Sequence, residues 1–244
     1  MDRKIRIGAV SYLNTKPLIY GFEKGMMKEE IELVSDYPAR VAGMLLNDEI
    51  DLGLIPVAVI SKLKDPHIVS NYCIGASGPV ASVCLFSDVP VAEIKEVLLD
   101  YQSRTSAALV KILFKNYWKI SPNYKDTQTG FEQQVKGNTA ALIIGDRALE
   151  QAQRFHNVYD LAEAWQAMTG LPFVFAAWVS NKKLPEIFIQ RFNAATGEGL
   201  KHIDEIVSQN PFTAYDLDTY YSQNIDYNLD AAKMEGMRLF LEML

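Results

Sequence analysis

The chain has 244 residues, enough to bury a sizeable core in one large domain or two small ones. Its composition, 49% hydrophobic and 22% charged, is typical of a soluble globular protein. The net charge of −6 argues against nucleic-acid binding, so any acidic ligand must be held by local donors. There is no signal-peptide core or bilayer-length apolar run, so we expect a cytoplasmic protein with no membrane partner.

Short apolar runs typical of β-strands alternate with helical patterns along most of the chain. The predicted strands are Ile5–Val10, Ile31–Ser35, Leu52–Ile55, Ile68–Ile74, Ser82–Phe86, Val97–Leu99, Ala140–Ile144 and Phe173–Val179. Between them, Ala39–Asn47 and Thr105–Tyr117 carry apolar residues at helical spacing. This alternation predicts an α/β fold with mostly parallel sheets flanked by helices.

The pattern changes after about Pro185, where long helices are predicted over Ile187–Val207 and Asp230–Leu244. A run of α/β units closed by C-terminal helices predicts two lobes with a ligand cleft between them. The first lobe is predicted to comprise residues 1–87 with 173–244, and the second residues 88–172. The chain has no Gly/Ser-rich linker, so we expect a hinged cleft rather than two independent domains.

The segment Ser11–Leu18 follows the first predicted strand and ends in the first turn of a predicted helix. A strand that delivers polar side chains to a helix N-terminus often holds an anionic small molecule in α/β proteins. The segment contains neither Gly-x-Gly-x-x-Gly nor a Walker motif, which argues against nucleotide binding. We interpret it as a polar loop that grips an organic acid.

A second polar junction, Leu99–Ser106, repeats this arrangement. Ser103 is a natural N-cap for a helix that begins near Arg104, and Thr105 and Ser106 fall in its first turn. The free backbone N–H groups, the hydroxyls and the helix dipole suit a carboxylate or a phosphate. Plain helix capping explains Ser103 equally well.

Two further segments are candidates for the cleft. The small residues of Gly75–Ser82 allow a backbone to approach a ligand or bend at a hinge, and Ser82 could donate a hydrogen bond there. A tight turn with an incidental serine explains the same pattern. Gly145 and Asp146 form another strand-to-helix junction, where Asp146 is either an N-cap or a carboxylate that faces the cleft.

Familiar catalytic sets are absent from the sequence. Cys73 and Cys84 lack Cys-x-x-Cys spacing, and the histidines His67, His156 and His202 lie in no motif. We find no Ser/His/Asp set and no Schiff-base lysine pattern, and we expect neither a metal nor a cofactor. An enzyme with this sequence would supply few obvious acids and bases.

Five separated blocks resemble the chorismate dehydratase family, in order, from residue 5 to about residue 180. They are Ile5-Arg6-Ile7-Gly8 with Ser11-Tyr12-Leu13-Asn14 and Pro17-Leu18, Asp51-Leu52-Gly53-Leu54-Ile55-Pro56, Gly78-Pro79-Val80-Ala81-Ser82-Val83, Ser103-Arg104-Thr105-Ser106, and Thr169-Gly170-Leu171-Pro172-Phe173-Val174-Phe175-Ala176. The resemblance implies a fold like the type II periplasmic binding proteins. It also implies conversion of chorismate to 3-[(1-carboxyvinyl)oxy]benzoate by loss of water, in the futalosine route to menaquinone.

The resemblance also implies which residues act. The family's cleft asparagine and serine correspond to Asn14 and Ser82, which we predict to be catalytic. The predicted substrate-binding residues are Ser11, Ser103, Arg104, Thr105, Ser106, Gly145 and Asp146. No protein base stands out, so our hypothesis is that the substrate's enolpyruvyl carboxylate removes the proton, with Asp146 as the alternative base.

Other functions of the same fold remain open. The related dihydroxynaphthoate synthase of the same pathway is expected to use a histidine, and no histidine here lies in a cleft motif. A solute-binding protein for an organic acid normally carries a signal peptide or lipoprotein cysteine, which this N-terminus lacks. An effector-binding domain of a regulator is less favoured, because no helix-turn-helix segment precedes the first strand.

Overall fold

A computed structural model describes residues 3–244 as two β-sheets with helices packed on both. The strands are β1 Ile5–Val10, β2 Ile31–Asp36, β3 Leu52–Pro56, β4 His67–Ala76, β5 Val83–Ser87, β6 Glu96–Leu99, β7 Asn123–Asp126, β8 Thr139–Ile144, β9 Asn157–Asp160, β10 Phe173–Ser180 and β11 Asp226–Asn228. The helices are α1 Lys16–Glu23, α2 Pro38–Leu46, α3 Arg104–Leu113, α4 Asp146–Gln151, α5 Leu161–Thr169, α6 Glu186–Glu198, α7 Ile203–Gln209, α8 Leu217–Thr219 and α9 Ala231–Glu242.

The first sheet has the strand order β11-β4-β10-β3-β1-β2. Strands β2, β1 and β3 are parallel, whereas β10 is antiparallel to both of its neighbours. Every residue of β10 is buried, which is why its sequence is a continuous apolar run instead of an alternating one. The predicted parallel arrangement is therefore found for β1, β2 and β3, and the antiparallel strand β10 makes the sheet mixed.

The second sheet has the order β7-β6-β8-β5-β9, with β5 antiparallel to β8 and β9. The strand Val83–Ser87 therefore pairs in the second sheet, although residues up to 87 were predicted to lie in the first lobe. All five of its residues are buried, and an apolar run does not encode which sheet it joins. The chain crosses between the sheets at 77–82, before β5, and returns at 170–172, before β10.

Two other features differ from the predictions. The helix expected over Ile187–Val207 is interrupted, because α6 ends at Glu198 and a short 3-10 turn, Gly199–Lys201, precedes α7. A Cβ atom at Gly199 would collide with the backbone oxygen of Pro17, so this glycine lets α1 pack closely against the break. The strands β7, β9 and β11 were not predicted, since each has four residues or fewer and a polar sequence.

Buried apolar side chains from both sheets form one continuous core, and a smaller cluster includes Phe86, Phe131 and Ile143. The two lobes therefore share one core. None of the helices within residues 3–244 is both long and apolar enough to cross a bilayer.

Candidate functional site

A cleft that opens to solvent lies between the two sheets where the strand-to-helix junctions of both lobes meet. Its polar lining comes from both lobes and its walls are largely apolar. The lining residues are Val10, Tyr12, Asn14, Pro38, Pro56, Ile74, Val80, Ser82, Val83, Ser103, Ser106, Ile144, Gly145, Phe175 and Ala176.

Asn14 lies in a single 3-10 turn, Leu13–Thr15, that connects β1 to α1. The Thr15 hydroxyl donates to Asn14 Oδ1 at 3.2 Å, and the Tyr227 hydroxyl donates to the Asn14 backbone oxygen at 3.0 Å. These bonds leave the Asn14 side-chain NH₂ group as the donor available to a ligand. Asn14 is buried, so the amide is held in place before any ligand arrives.

Ser82 follows a strained turn in the first crossing segment. The Ser82 backbone N–H donates to the Val80 oxygen at 2.7 Å, and Ala81 between them has a φ of +62°. This is a γ-turn in its rare, strained form. The Ser82 hydroxyl is buried and has no hydrogen-bond partner within the described residues. A buried hydroxyl without a partner is destabilising unless a ligand or a water satisfies it.

Asp160 holds this turn from the second lobe. One carboxylate oxygen accepts the Ala81 N–H at 2.7 Å, while the other caps α5 by accepting N–H groups of Ala162 and Glu163 at 2.9 and 3.2 Å. Burial raises the pKa of Asp160, and the backbone N–H donors oppose that rise. This role of Asp160 was not predicted, because an Asp before a helix ordinarily indicates only an N-cap.

The N-terminus of α3 supplies the second polar wall. Ser103 is the N-cap, and its Oγ accepts the Ser106 N–H at 3.0 Å. A hydroxyl has one proton in addition to its lone pairs, so the Ser103 O–H remains free to donate into the cleft. Both Ser103 and Ser106 line the cleft, so capping and anion binding are compatible at this junction.

Asp146 connects the lobes instead of capping a helix. It is the first residue of α4, and its carboxylate accepts the Leu13 backbone N–H at 3.1 and 3.4 Å. Burial raises the pKa of Asp146 to about 6, and the Leu13 N–H opposes that rise. Gly145 before it has a φ of +66° and lies against the Tyr12 ring, where a Cβ atom would collide.

Three more hydrogen bonds join the lobes around the cleft. The Tyr12 hydroxyl donates to Gln102 Oε1, and the Ala39 N–H donates to the Gln102 backbone oxygen at 3.2 Å. The Ala58 N–H donates to Thr105 Oγ1 at 3.2 Å. Together with the Asp146–Leu13 contact, these bonds show the two lobes closed on each other.

Within residues 3–244, none of the side chains that line the cleft carries a charge. Arg147, which follows Asp146 in α4, is engaged by Asp100 at 2.7 Å and by Glu132 at 2.6 Å. Burial raises the pKa of Asp100, and Arg147 opposes that rise. Any anion in the cleft therefore faces uncharged donors.

The predicted site residues fall into two groups. Those that line the cleft are Asn14, Ser82, Ser103, Ser106 and Gly145. The others do not line it: Ser11 and Arg104 are exposed, Thr105 accepts from Ala58, and Asp146 accepts from Leu13. The buried tyrosines Tyr220 and Tyr227 were not predicted. Ser82 and Asn14 are among the polar neighbours of Tyr220, and the Tyr227 hydroxyl donates to the Asn14 backbone oxygen.

Comparisons with known proteins agree with this architecture. The chorismate dehydratase of Thermus thermophilus is 27% identical to this chain, over 98% of this chain and 94% of that protein. The crystal structure of protein AF1704 from Archaeoglobus fulgidus matches with a TM-score of 0.72 at 15% identity, over 98% of this chain and 96% of the other. The alkanesulfonate-binding protein SsuA from Xanthomonas axonopodis pv. citri, bound to MOPS, matches with a TM-score of 0.65 at 12% identity, over 97% and 89%.

The structural matches confirm the predicted fold class, a two-lobed α/β fold like that of the periplasmic binding proteins. The resemblance to chorismate dehydratase that the five motif blocks indicated is likewise confirmed by the Thermus relative. A family model described as menaquinone biosynthesis matches residues 5–244, nearly the whole chain. The chain therefore belongs to the menaquinone biosynthesis family.

Proposed function

We propose that this protein is a lyase that removes water from chorismate to form 3-[(1-carboxyvinyl)oxy]benzoate, a step of the futalosine route to menaquinone. The observation that carries the proposal is an interlobe cleft whose donors are all uncharged and include side chains from two separate junctions. Chorismate carries two carboxylates, and two such junctions suit them. The curated relative named chorismate dehydratase supports the same substrate.

One carboxylate would bind at the start of α3. The Ser103 and Ser106 hydroxyls lie there, next to the free backbone N–H groups and the positive end of the helix dipole. The substrate ring would lie against the apolar wall, which includes Pro56, Ile74 and Phe175. Asn14 and Ser82 would then face the enolpyruvyl carboxylate and the ring hydroxyl.

The reaction removes the proton from the ether-bearing ring carbon and expels the neighbouring hydroxyl, which leaves with that proton as water. Because the product ring is aromatic, the driving force is large, and the protein needs mainly to position and polarise the substrate. The proposed base is the substrate's own enolpyruvyl carboxylate. Its basicity is preserved in a cleft lined by uncharged donors, whereas a paired Arg or Lys would lower it.

Asp146 is the alternative base, and its geometry does not favour that role. Its carboxylate is engaged by the Leu13 N–H, and the residue does not line the cleft. The raised pKa of about 6 is compatible with proton transfer, and an Asp146→Asn variant tests that role.

The alternatives to the dehydratase are a synthase of the same pathway and a binding protein. The related dihydroxynaphthoate synthase is expected to use a histidine, and no histidine within residues 3–244 lines the cleft. A binding protein for an organic acid is favoured by the match to the alkanesulfonate-binding protein. Such a protein would bind chorismate without converting it.

The test is incubation of the purified protein with chorismate, followed by chromatography for the aromatic vinyl ether. We expect product without an added cofactor, and an Asn14→Ala variant that loses at least about 100-fold in kcat. An Asn228→Ala variant, at an exposed asparagine of β11, is the matched control and should keep full activity. Tight binding of chorismate by the wild-type protein without product would instead identify a binding protein. Full turnover by Asn14→Ala would refute the role of Asn14.

A further inference from the structure

Tyr220 has a hydroxyl that is completely buried and has no hydrogen-bond partner within the described residues. Its polar side-chain neighbours include Ser82 and Asn14, the two residues proposed to act on the substrate. The Ser82 hydroxyl, as described above, also lacks a partner. Two buried hydroxyls without a hydrogen-bond partner within the described residues are thus neighbours, and one of them, that of Ser82, lines the cleft.

The C-terminal segment holds Tyr220 there through an unusual local structure. Tyr220 and Tyr221 begin a π-helical turn, Tyr220–Asn224, and both side chains are buried. Asn224 at the end of the turn donates to the Pro79 oxygen at 3.1 Å, which attaches the turn to the crossing segment that carries Ser82. Isolated π-turns are often found at functional sites, and this one places a phenol where an apolar residue would cost less.

We propose that Tyr220 is a positioning residue whose hydroxyl donates to Ser82 Oγ when the substrate is bound, so that the Ser82 proton points into the cleft. Burial raises the pKa of Tyr220 well above its ordinary value, so the phenol keeps its proton at working pH. The Ser82 oxygen can accept a hydrogen bond from Tyr220 and still donate its own proton to a ligand. That donated bond becomes stronger, because hydrogen bonds in a chain polarise one another.

The inference rests on the proposed function and extends it. The Ser82 hydroxyl would donate to the ring hydroxyl that leaves, and this bond grows stronger as negative charge develops on the departing oxygen. An interaction that strengthens during the reaction contributes to kcat more than to KM. Loss of the Tyr220 hydroxyl should therefore lower kcat while leaving substrate binding almost unchanged.

The experiment is a comparison of Tyr220→Phe with Tyr221→Phe, followed by a double-mutant cycle with Ser82→Ala. Tyr221 is the matched control, because its hydroxyl is also buried and unpartnered but Ser82 and Asn14 are not among its polar neighbours. We expect Tyr220→Phe to lower kcat about 10- to 100-fold with KM within about threefold, and Tyr221→Phe to change kcat less than about twofold. In the Ser82→Ala background, Tyr220→Phe should change kcat by less than about twofold.

Each outcome decides something different. Equal losses in Tyr220→Phe and Tyr221→Phe, or full additivity with Ser82→Ala, would overturn the assignment of Tyr220 while leaving the proposed function intact. Thermal unfolding identifies a merely structural effect, because a role in packing would lower Tm, whereas removal of an unpartnered hydroxyl should leave Tm unchanged or higher. If the wild-type protein does not convert chorismate, the proposed function fails and the assignment fails with it.

Discussion

Ser82 and Ser103 line the same cleft, but their hydroxyls have opposite surroundings. Ser103 caps α3, and its oxygen accepts the Ser106 backbone N–H at 3.0 Å. Ser82 lies behind a strained γ-turn, and its hydroxyl has no partner in the described part of the chain. Ser103 therefore stabilises the fold and can also donate its proton into the cleft. Ser82 makes no such stabilising hydrogen bond within the described residues, and its hydroxyl is free to bind a ligand.

This difference between the two serines indicates which of them contributes to stability and which is available for function. An unsatisfied buried hydroxyl costs about 1–3 kcal/mol, and a residue with a positive φ such as Ala81 costs a similar amount. The fold tolerates both at Ser82 because Asp160 and the crossing strands hold the turn. Groups that destabilise the folded protein but stay ordered are the best candidates for contact with the reacting atoms.

The largest effect is expected for Ser82→Ala, which removes the unpartnered hydroxyl. We expect kcat to fall at least about 100-fold, because one preorganised donor to developing negative charge is lost, while Tm stays the same or rises. Steady-state kinetics and calorimetry measure the two quantities. Ser180→Ala is the control, because this buried serine donates to the Lys182 oxygen at 2.7 Å, far from the cleft; it should lose stability and keep kcat. A Ser82→Ala variant with normal kcat would show that the unpartnered Ser82 hydroxyl has no role in the reaction.

Asp146→Asn tests a group that joins the lobes. Burial raises the pKa of Asp146 from 3.8 to about 6, so in the folded protein the carboxyl keeps a proton that the unfolded chain has already lost. The contribution of Asp146 to the free energy of unfolding should therefore be most favourable below pH 4 and fall, by up to about 3 kcal/mol, as the pH rises from 4 through 6. The difference in free energy of unfolding between the wild-type protein and Asp146→Asn, followed with denaturant, should show this fall.

The same variant decides between the two proposed bases. If the substrate carboxylate removes the proton, Asp146→Asn should keep kcat within about fivefold, because an amide oxygen can still accept the Leu13 N–H. Loss of turnover with unchanged binding of chorismate would make Asp146 the base. Asp126→Asn, at an exposed position of β7 in the same lobe, is the control for the loss of one charge.

The fold was predictable from the sequence wherever a buried run set the pattern. The eight predicted strands are present because each is apolar over most of its length, but β7 and β9 are polar and are held only by pairing with β6 and β5. The sheet that β5 joins was not predictable, because the pattern of apolar residues in a strand indicates that it is buried but does not indicate which strands it pairs with. The break after α6 required the contact of Gly199 with Pro17, which is 182 residues away in sequence.

The candidate site was predictable only for residues that lie in local motifs. Asn14, Ser82, Ser103 and Ser106 stand at strand-to-helix or turn positions that indicate exposed polar groups, and all four line the cleft. Tyr220 was missed because its role depends on a contact about 138 residues away, and its Tyr-Tyr sequence is typical of an ordinary core. Electrostatic partners are equally non-local, as Asp146 with Leu13 illustrates.

A smaller effect is expected for Ser103→Ala, at the satisfied serine of the comparison. Loss of an N-cap costs about 1 kcal/mol of stability, so Tm should fall by about 2–4 °C in a chain of this length. KM should rise a few-fold, because the helix N-terminus still offers its N–H groups, and kcat should change little. Ser87→Ala is the matched control, since its Oγ also accepts a backbone N–H, from Val89 at 3.2 Å, away from the cleft. A loss of kcat as large as that of Ser82→Ala would show that the two serines act alike.

The smallest effect is expected for Arg104→Gln. This arginine follows the N-cap of α3 and was predicted from the motif to bind substrate, yet its side chain is exposed and does not line the cleft. A dicarboxylate held by uncharged donors does not need it, and an exposed cation contributes little through solvent. We expect KM and kcat within about twofold of the wild-type values at 0.15 M salt, as for the exposed control Arg154→Gln. A KM more than about tenfold higher for Arg104→Gln alone would mean that the lobes move to bring this guanidinium onto a carboxylate. In that case the second junction would bind by charge, and only the first would rely on neutral donors.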